Sequence, residues 1–271
     1  MTKKLKQFLI LIFVPLLFSF NCSETKSKEP VVVNNSTASS KKDSLKKPLD
    51  GLQILVKAYP DFIEKAENNK IYWKDGTTMV YDDGKDKSYE ELLDNPDIED
   101  MLSQEYVMGA DWSSPPSKNF EPGRIRNEPF FQKMYGASKS AVTNNLTTIN
   151  WFGTSVQVST VNEVDKQFKA VMEDLEKLPA EFHKYFKRTA GTFNYRKIAG
   201  TDRYSAHSFG IAIDINTEYS DYWQWDKSMT YKNKIPMEVV EVFERFGFVW
   251  GGKWYHYDTM HFEYRPELLI K

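Results

Sequence analysis

Residues 211–215 alternate strictly. Ile211, Ile213 and Ile215 point to one face, and Ala212 and Asp214 to the other. The pattern predicts a strand with one core face and one face where a carboxylate stands beside a small residue. Val156 and Val158 alternate with polar neighbours and predict a second strand. Two more are expected at Ile71-Tyr72-Trp73 and Thr78-Met79-Val80-Tyr81, joined through the turn signal Asp75-Gly76. Val164, Phe168, Val171, Leu175 and Leu178 recur at steps of three and four, the stripe of an amphipathic helix. Asn162 is the expected cap of that helix, with Asp165 three residues on, and Pro179 its stop. Pro236 opens a later helix whose buried face is Val239, Val240, Phe243 and Phe246, with Gly247 at its C-terminal cap. Leu52, Leu55 and Val56 predict a short helix before Tyr59-Pro60, and Asn95-Pro96-Asp97 can start one containing Ile98, Met101 and Leu102. Pro115, Pro116, Pro122 and Gly123 mark irregular chain, and no internal repeat is present. Mixed strands and helices in this order predict an α+β fold, a small antiparallel sheet with flanking helices.

The N-terminus follows a different pattern. Lys3, Lys4 and Lys6 precede an apolar run from Phe8 to Phe20, too short for the roughly 20 residues of a membrane-spanning helix. Residues 1–21 are expected to be a signal peptide. Cys22, the single cysteine, ends this segment and rules out an intramolecular disulfide. Its position resembles a bacterial lipoprotein signal, although Ser19, Phe20 and Asn21 depart from the usual lipobox. The resemblance implies that Cys22 is lipidated and that the exported protein is lipid-anchored to a membrane of the cell envelope. Residues 22–48, rich in Ser, Lys, Asn and Thr, are expected to form a flexible tether. Residues 49–124 are an N-terminal accessory region whose role the sequence leaves open. Its acidic stretch, Asp82, Asp83, Asp86, Glu90 and Glu91, lacks the spacing of a calcium loop and is expected to be a solvated face. A net charge of −2 without a basic stripe argues against nucleic acid as a partner.

The candidate chemistry lies in two segments. Ser205-Ala206-His207-Ser208-Phe209-Gly210 leads into the strand that carries Asp214, and Gly210 allows a tight turn that brings His207 over the same face. In Asp258-Thr259-Met260-His261-Phe262-Glu263, a strand from His261 places His261 and Glu263 on one face, with Asp258 in the turn before it. Two histidines and an aspartate are the protein set of a catalytic zinc, which keeps a fourth position open for water. Asp258 is the candidate general base, and Glu263 the candidate partner that orients His261. A lone buried His or Asp more often makes an ordinary core hydrogen bond. Four such residues in two compact motifs, in a chain with four histidines, weigh against that reading.

The pattern Ser-x-His-x-x-Gly-x-Ala-x-Asp followed by Asp-x-x-His-Phe-Glu resembles the M15 metallopeptidases. These include bacterial D-Ala-D-Ala peptidases and phage endolysins that cut L-Ala–D-Glu bonds. The wider stretch from Trp250-Gly251-Gly252 through Trp254 is most similar to the endolysin-like branch. The resemblance covers about residues 125–271, expected to be the peptidase domain. It implies zinc on His207, Asp214 and His261, Asp258 as base, and hydrolysis of peptidoglycan stem peptides. It also implies an upstream arginine that stabilises the oxyanion. Arg196 is the candidate and Arg203 its rival. Ser205 is either a substrate contact or a brace for the turn before His207. His256 is expected at the surface and His183 in a structural role. Trp223, Trp225, Trp250 and Trp254 are expected mainly in the core, some edging the cleft where Gly251-Gly252 would let a ligand approach the backbone. The rival function is an inactive peptidoglycan-binding lipoprotein, disfavoured because ligands and base are all present.

Lipidation at Cys22 has a direct consequence. Cys22→Ser is expected to be exported yet no longer held by a membrane, because retention depends on the lipid. Detergent phase partitioning checks this: a variant that still enters the detergent phase like the unaltered protein would rule out Cys22 as the anchor.

Overall fold

Asp50 caps the first helix, α1 (Gly51–Ala58), by accepting a hydrogen bond from the Gln53 amide at 2.8 Å. The structure, a computed structural model, describes residues 50–225 and 227–271. The expected signal peptide, Cys22 and the tether up to residue 48 lie outside the described residues. No described helix is long and apolar enough to cross a membrane.

After α1 come three antiparallel strands, β1 (Ile63–Glu67), β2 (Lys70–Trp73) and β3 (Thr78–Val80), in that spatial order. The expected pair is β2 and β3. Helix α2 (Tyr89–Asp94) starts with a capping box between Ser88 and Glu91. Asn95-Pro96-Asp97 leads into only a short 3-10 turn, Asp100–Leu102. The acidic stretch is the solvated face expected, with Asp83, Asp86, Glu90 and Glu91 exposed and Asp82 half-buried. Lys87, nearly buried, reaches Asp97 at 3.0 Å, Asp100 at 2.5 Å and Asp83 at 3.2 Å, so one cation ties the carboxylates together.

Helices α3 (Glu128–Tyr135) and α4 (Lys139–Thr143) precede the hairpin β4 (Leu146–Trp151) and β5 (Thr154–Ser159), then α5 (Val164–Glu176). Val164, Phe168, Val171 and Leu175 are the buried stripe of α5, as its periodicity predicts. Its cap differs from expectation. Asn162 and Glu163 both take left-handed backbone conformations, and no side chain caps the helix. The Asn162 amide instead donates to the Tyr135 hydroxyl at 3.1 Å, which removes it from capping.

The second half adds α6 (His183–Phe186), β6 (Thr189–Gly191), β7 (Ala212–Ile215), α7 (Met237–Arg245), β8 (Phe248–Trp250) and β9 (His261–Tyr264). Strands β6, β7, β9 and β8 form an antiparallel sheet in that order. The fold is therefore α+β with small antiparallel sheets and flanking helices. Ile211, Ile213 and Ile215 are fully buried on one side of β7. Phe262 of β9 stacks on Phe243 of α7 with centroids 3.9 Å apart, and Phe168 of α5 meets Phe248 at 4.7 Å. Helices α5 and α7 thus cover one face of the sheet and leave its other face to polar side chains. Pro236 opens α7 and Gly247, with φ 89°, follows it. A Cβ at Gly247 would lie 2.6 Å from the Tyr264 ring.

The described residues from Asp50 onward belong to one compact unit. Buried polar joints fasten its early part to the sheet. The Tyr59 hydroxyl donates to Glu267 at 2.6 Å. The Tyr106 hydroxyl, the Gly109 amide and the Lys253 ammonium all converge on Glu244 at 2.6–2.7 Å. Lys253 also donates to the carbonyls of Val107 and Gly109. Both charges of the Lys253–Glu244 pair are almost fully excluded from water. Removing one partner therefore leaves an uncompensated buried charge. Lys253→Met is expected to lose about 3–5 kcal/mol of stability, and the double variant with Glu244→Gln less than the single one. Denaturant unfolding of the three variants measures the coupling. Strict additivity would exclude this pair as the joint.

Candidate metal centre and active-site cleft

Register places the first two residues of the site. Asp214 on β7 stands directly opposite His261 on β9, so their side chains leave the sheet on the same face. His207 comes from the 3-10 turn Ala206–Phe209, which ends at Gly210 with φ 68°. A Cβ at Gly210 would lie 2.6 Å from Leu146, so the left-handed turn that returns the chain to β7 requires glycine there. His207 Nε2 is 3.1 Å from Asp214 Oδ1 and 3.2 Å from His261 Nδ1, and His261 Nδ1 is 3.0 Å from Asp214 Oδ1. These atoms form a group that could hold a metal ion.

The outer nitrogens decide how the group is charged. His207 Nδ1 donates to the Thr192 carbonyl at 2.5 Å, and His261 Nε2 donates to Glu263 at 3.0 Å. Each ring therefore turns a lone pair inward, toward the other ring and toward a carboxylate oxygen. Three electron-rich atoms this close repel one another unless a cation lies among them. Without a metal a proton serves. Burial alone would lower the His261 pKa, but hydrogen bonds to Asp214 and Glu263 raise it to about 10. Asp214 is held well below the usual carboxylate range: burial opposes ionisation, and the charges and hydrogen bonds of His207 and His261 outweigh it. Zinc–nitrogen and zinc–oxygen bonds of about 2.0–2.2 Å in a tetrahedron set ligand atoms about 3.3 Å apart, close to the spacing seen here. Donor types, orientation and spacing all fit zinc.

Glu263 is itself clamped. It is fully buried and receives Arg126 Nη1 at 3.1 Å and Arg265 Nη1 at 3.1 Å besides His261. Burial would raise its pKa, but Arg126 and His261 hold it well below the usual range. Asp258 is the opposite case. It is half-buried, its Oδ1 shielded from solvent and without a hydrogen-bond partner among the described residues, and desolvation, then the charge of Asp214, push its pKa up to about 6. A carboxylate with a free oxygen near neutrality is suited to accepting a proton.

His207, Asp214, Asp258, His261, Glu263 and Arg126 line one cavity of about 340 Å³. Ser205 lines it, and its hydroxyl also accepts from the His207 amide at 3.4 Å, bracing the turn. Four arginines line it too, of which three face carboxylates. Arg126 meets Glu263, Arg124 lies 3.5 Å from Glu121, and Arg203 lies 3.2 Å from Asp94. Arg196 is in no ion pair among the described residues. Its amide is fixed by the Ser208 hydroxyl at 2.9 Å, while its guanidinium makes only a long contact, at 3.5 Å, to the Lys197 carbonyl. Of the candidate residues, only Cys22 lies outside the described part. The structure brings the other six, Arg196, Ser205, His207, Asp214, Asp258 and His261, to this one cavity.

Three expectations need correction. His256 is not a plain surface histidine but part of the cavity wall, because the chain around Glu121 folds over it. Gly251 and Gly252 are not open to a ligand. A Cβ at Gly252 would lie 2.1 Å from the Trp250 ring, and one at Gly251 2.6 Å from the Asp258 carbonyl, so the protein itself fills that space. Of the tryptophans, Trp225 is exposed rather than core, whereas Trp250 and Trp254 are buried and Trp223 and Trp254 edge the cavity, as expected. His183 is structural as expected, bonded to the Leu178 carbonyl at 3.0 Å. Sequence reasoning missed Thr192, Arg124, Arg126, Glu121 and Tyr89. It could have found Arg265, two positions after Glu263 and thus at the strand period.

Comparison with known proteins bears on the same stretch of chain. No curated protein and no solved structure matches the chain. A family model described as D-alanyl-D-alanine carboxypeptidase, of the M15 peptidases, matches residues 199–264, and this span holds His207, Asp214, Asp258 and His261; the match supports the M15 family for this chain.

Proposed function

We propose that the protein is a zinc-dependent peptidase that hydrolyses peptide bonds of peptidoglycan stem peptides. An M15-type match points to a peptidase acting on cell-wall peptides. The observation that carries the finer reading is the convergence of two inward imidazole lone pairs and a carboxylate oxygen in the cavity lined by Asp258, whose shielded Oδ1 has no partner among the described residues. His207, Asp214 and His261 would hold the zinc, which when bound supplies Lewis acidity toward water and a peptide carbonyl.

The remaining work falls to side chains of this chain. Asp258 accepts the proton of the attacking water at its free oxygen and returns it to the leaving amine, the role its raised pKa suits. Arg196, without a carboxylate partner among the described residues, donates to the oxygen on which negative charge develops. Arg203 is the weaker candidate because Asp94 already faces it. Glu263, fixed by two arginines, keeps the His261 ring turned so that Nδ1 faces inward. A lipid on Cys22 and the tether after it would hold this domain at a membrane, within reach of the cell wall.

The metal assignment is tested by content. One zinc per chain is expected after mild purification, falling to a small fraction in His207→Ala and His261→Ala, since two remaining protein ligands hold zinc poorly. Native mass spectrometry counts the metal, and stoichiometric zinc in both variants would sink the assignment.

Base and ligand are separated by amide substitutions. Asp258→Asn keeps the shape but cannot take the proton. It is expected to retain zinc and fold while losing on the order of 100-fold or more in turnover of a muropeptide. Asp214→Asn is expected to weaken zinc itself, so that added metal partly restores turnover. Measuring turnover and bound zinc on the same samples decides the matter: a fully active Asp258→Asn protein removes Asp258 from the chemistry.

A further inference from the structure

Trp225 is out of place for its size. It is 61% exposed, whereas Trp73, Trp151, Trp250 and Trp254 are buried. Single apolar side chains at a surface need no explanation. Val80 and Met108, the other large exposed ones among the described residues, are of that kind and line no part of the cavity. Trp225 differs in position. Tyr222, Trp223 and Gln224, the three residues before it, all line the cavity. Its ring meets that of Tyr222 edge-on with centroids 5.9 Å apart, so it stands at the cavity rim.

The turn that carries Trp225 is fastened to the segment of Asp258. Tyr222 forms a β-bridge with Asp258, the Trp223 amide donates to the Tyr257 carbonyl at 3.0 Å, and the Asp221 amide donates to the Thr259 hydroxyl at 2.7 Å. The Trp225 amide closes the turn on the Tyr222 carbonyl at 2.9 Å. Such a turn spans less than about 7 Å between its end Cα atoms, and an antiparallel bridge about 5 Å. The Cα atoms of Trp225 and Asp258 therefore lie within about 12 Å of each other, the reach of about three or four extended residues.

The open indole face has a selective chemistry. Its neighbours along the chain, Gln224 and Lys227, are exposed and polar. A flat apolar face in polar surroundings suits a ligand with C–H bonds on one face and hydrogen-bonding groups around its edge. A pyranose ring has that form. An acyl chain does not, because it needs an apolar groove along its length.

We propose that Trp225 is a carbohydrate-binding residue, whose indole face stacks on a sugar ring of the glycan that bears the stem peptide. This rests on the peptidoglycan reading and extends the ligand beyond the peptide. The short span to Asp258 lets one substrate engage both.

The test compares a synthetic stem peptide with the same peptide joined to its disaccharide. Calorimetric titrations use the zinc-loaded protein carrying Asp258→Asn, so that the ligand survives. The disaccharide form is expected to bind about fivefold more tightly, the scale of one aromatic stacking contact. Trp225→Ala, at an exposed position, is expected to erase that preference while keeping zinc and the affinity for the bare peptide. Trp225→Phe, which keeps a smaller aromatic face, is expected to retain part of it. Equal affinities for the two ligands, absence of binding included, or a preference that survives in Trp225→Ala, would overturn the assignment. Cleavage of the bare peptide by the unaltered protein, followed by mass spectrometry, reports on the peptidase reading separately, so the two can fail independently.

Discussion

Two strands in one register hold Asp214 opposite His261, and that pairing creates an electrostatic problem for the rest of the molecule. Two imidazole lone pairs and an anionic oxygen lie within 3.2 Å of one another. The arrangement is stable only with a cation among them and with the rings prevented from turning away. Thr192 and Glu263 prevent the turning, and Arg126 and Arg265 in turn fix Glu263. Much of the buried polar network near the sheet serves to keep three donor atoms converged. The apolar side, from Phe262 through Phe243 to Phe168, holds the strands flat behind them.

Legibility followed distance along the chain. The β7 alternation of Ile211, Ile213 and Ile215, the α5 stripe and the start of α7 were readable because each pattern repeats within a few residues. The metal-capable group was readable for the same reason, since its members sit in two short motifs joined by adjacent strands. Strand β1, Ile63–Glu67, was not, because Ile-Glu-Lys-Ala-Glu has no apolar alternation and its pairing with β2 decides it. The Asn162 cap failed because a tertiary partner, Tyr135, claimed the side chain.

The residues around the group were illegible for a plainer reason. Thr192 acts through a backbone carbonyl, which has no side-chain signature. Arg126 meets Glu263 across 137 residues, and Glu121 meets His256 across 135. No periodicity links such positions, and only the folded chain brings them together. The same applies to the arginines: along the sequence the rival Arg203 lies nearer His207 than the candidate Arg196, whereas in the fold the ion pair with Asp94 distinguishes them.

The cleft is assembled from two stretches of chain with different duties. Residues 199–264 carry the three donor atoms and Asp258, while Tyr89, Leu93, Arg124, Arg126 and Arg196 line the cavity from outside that span. Two residues outside the span, Thr192 and Arg126, also help to hold the donor atoms, the first on His207 and the second through Glu263. The span that the family model matches is therefore completed, as a cavity, only by chain that precedes it.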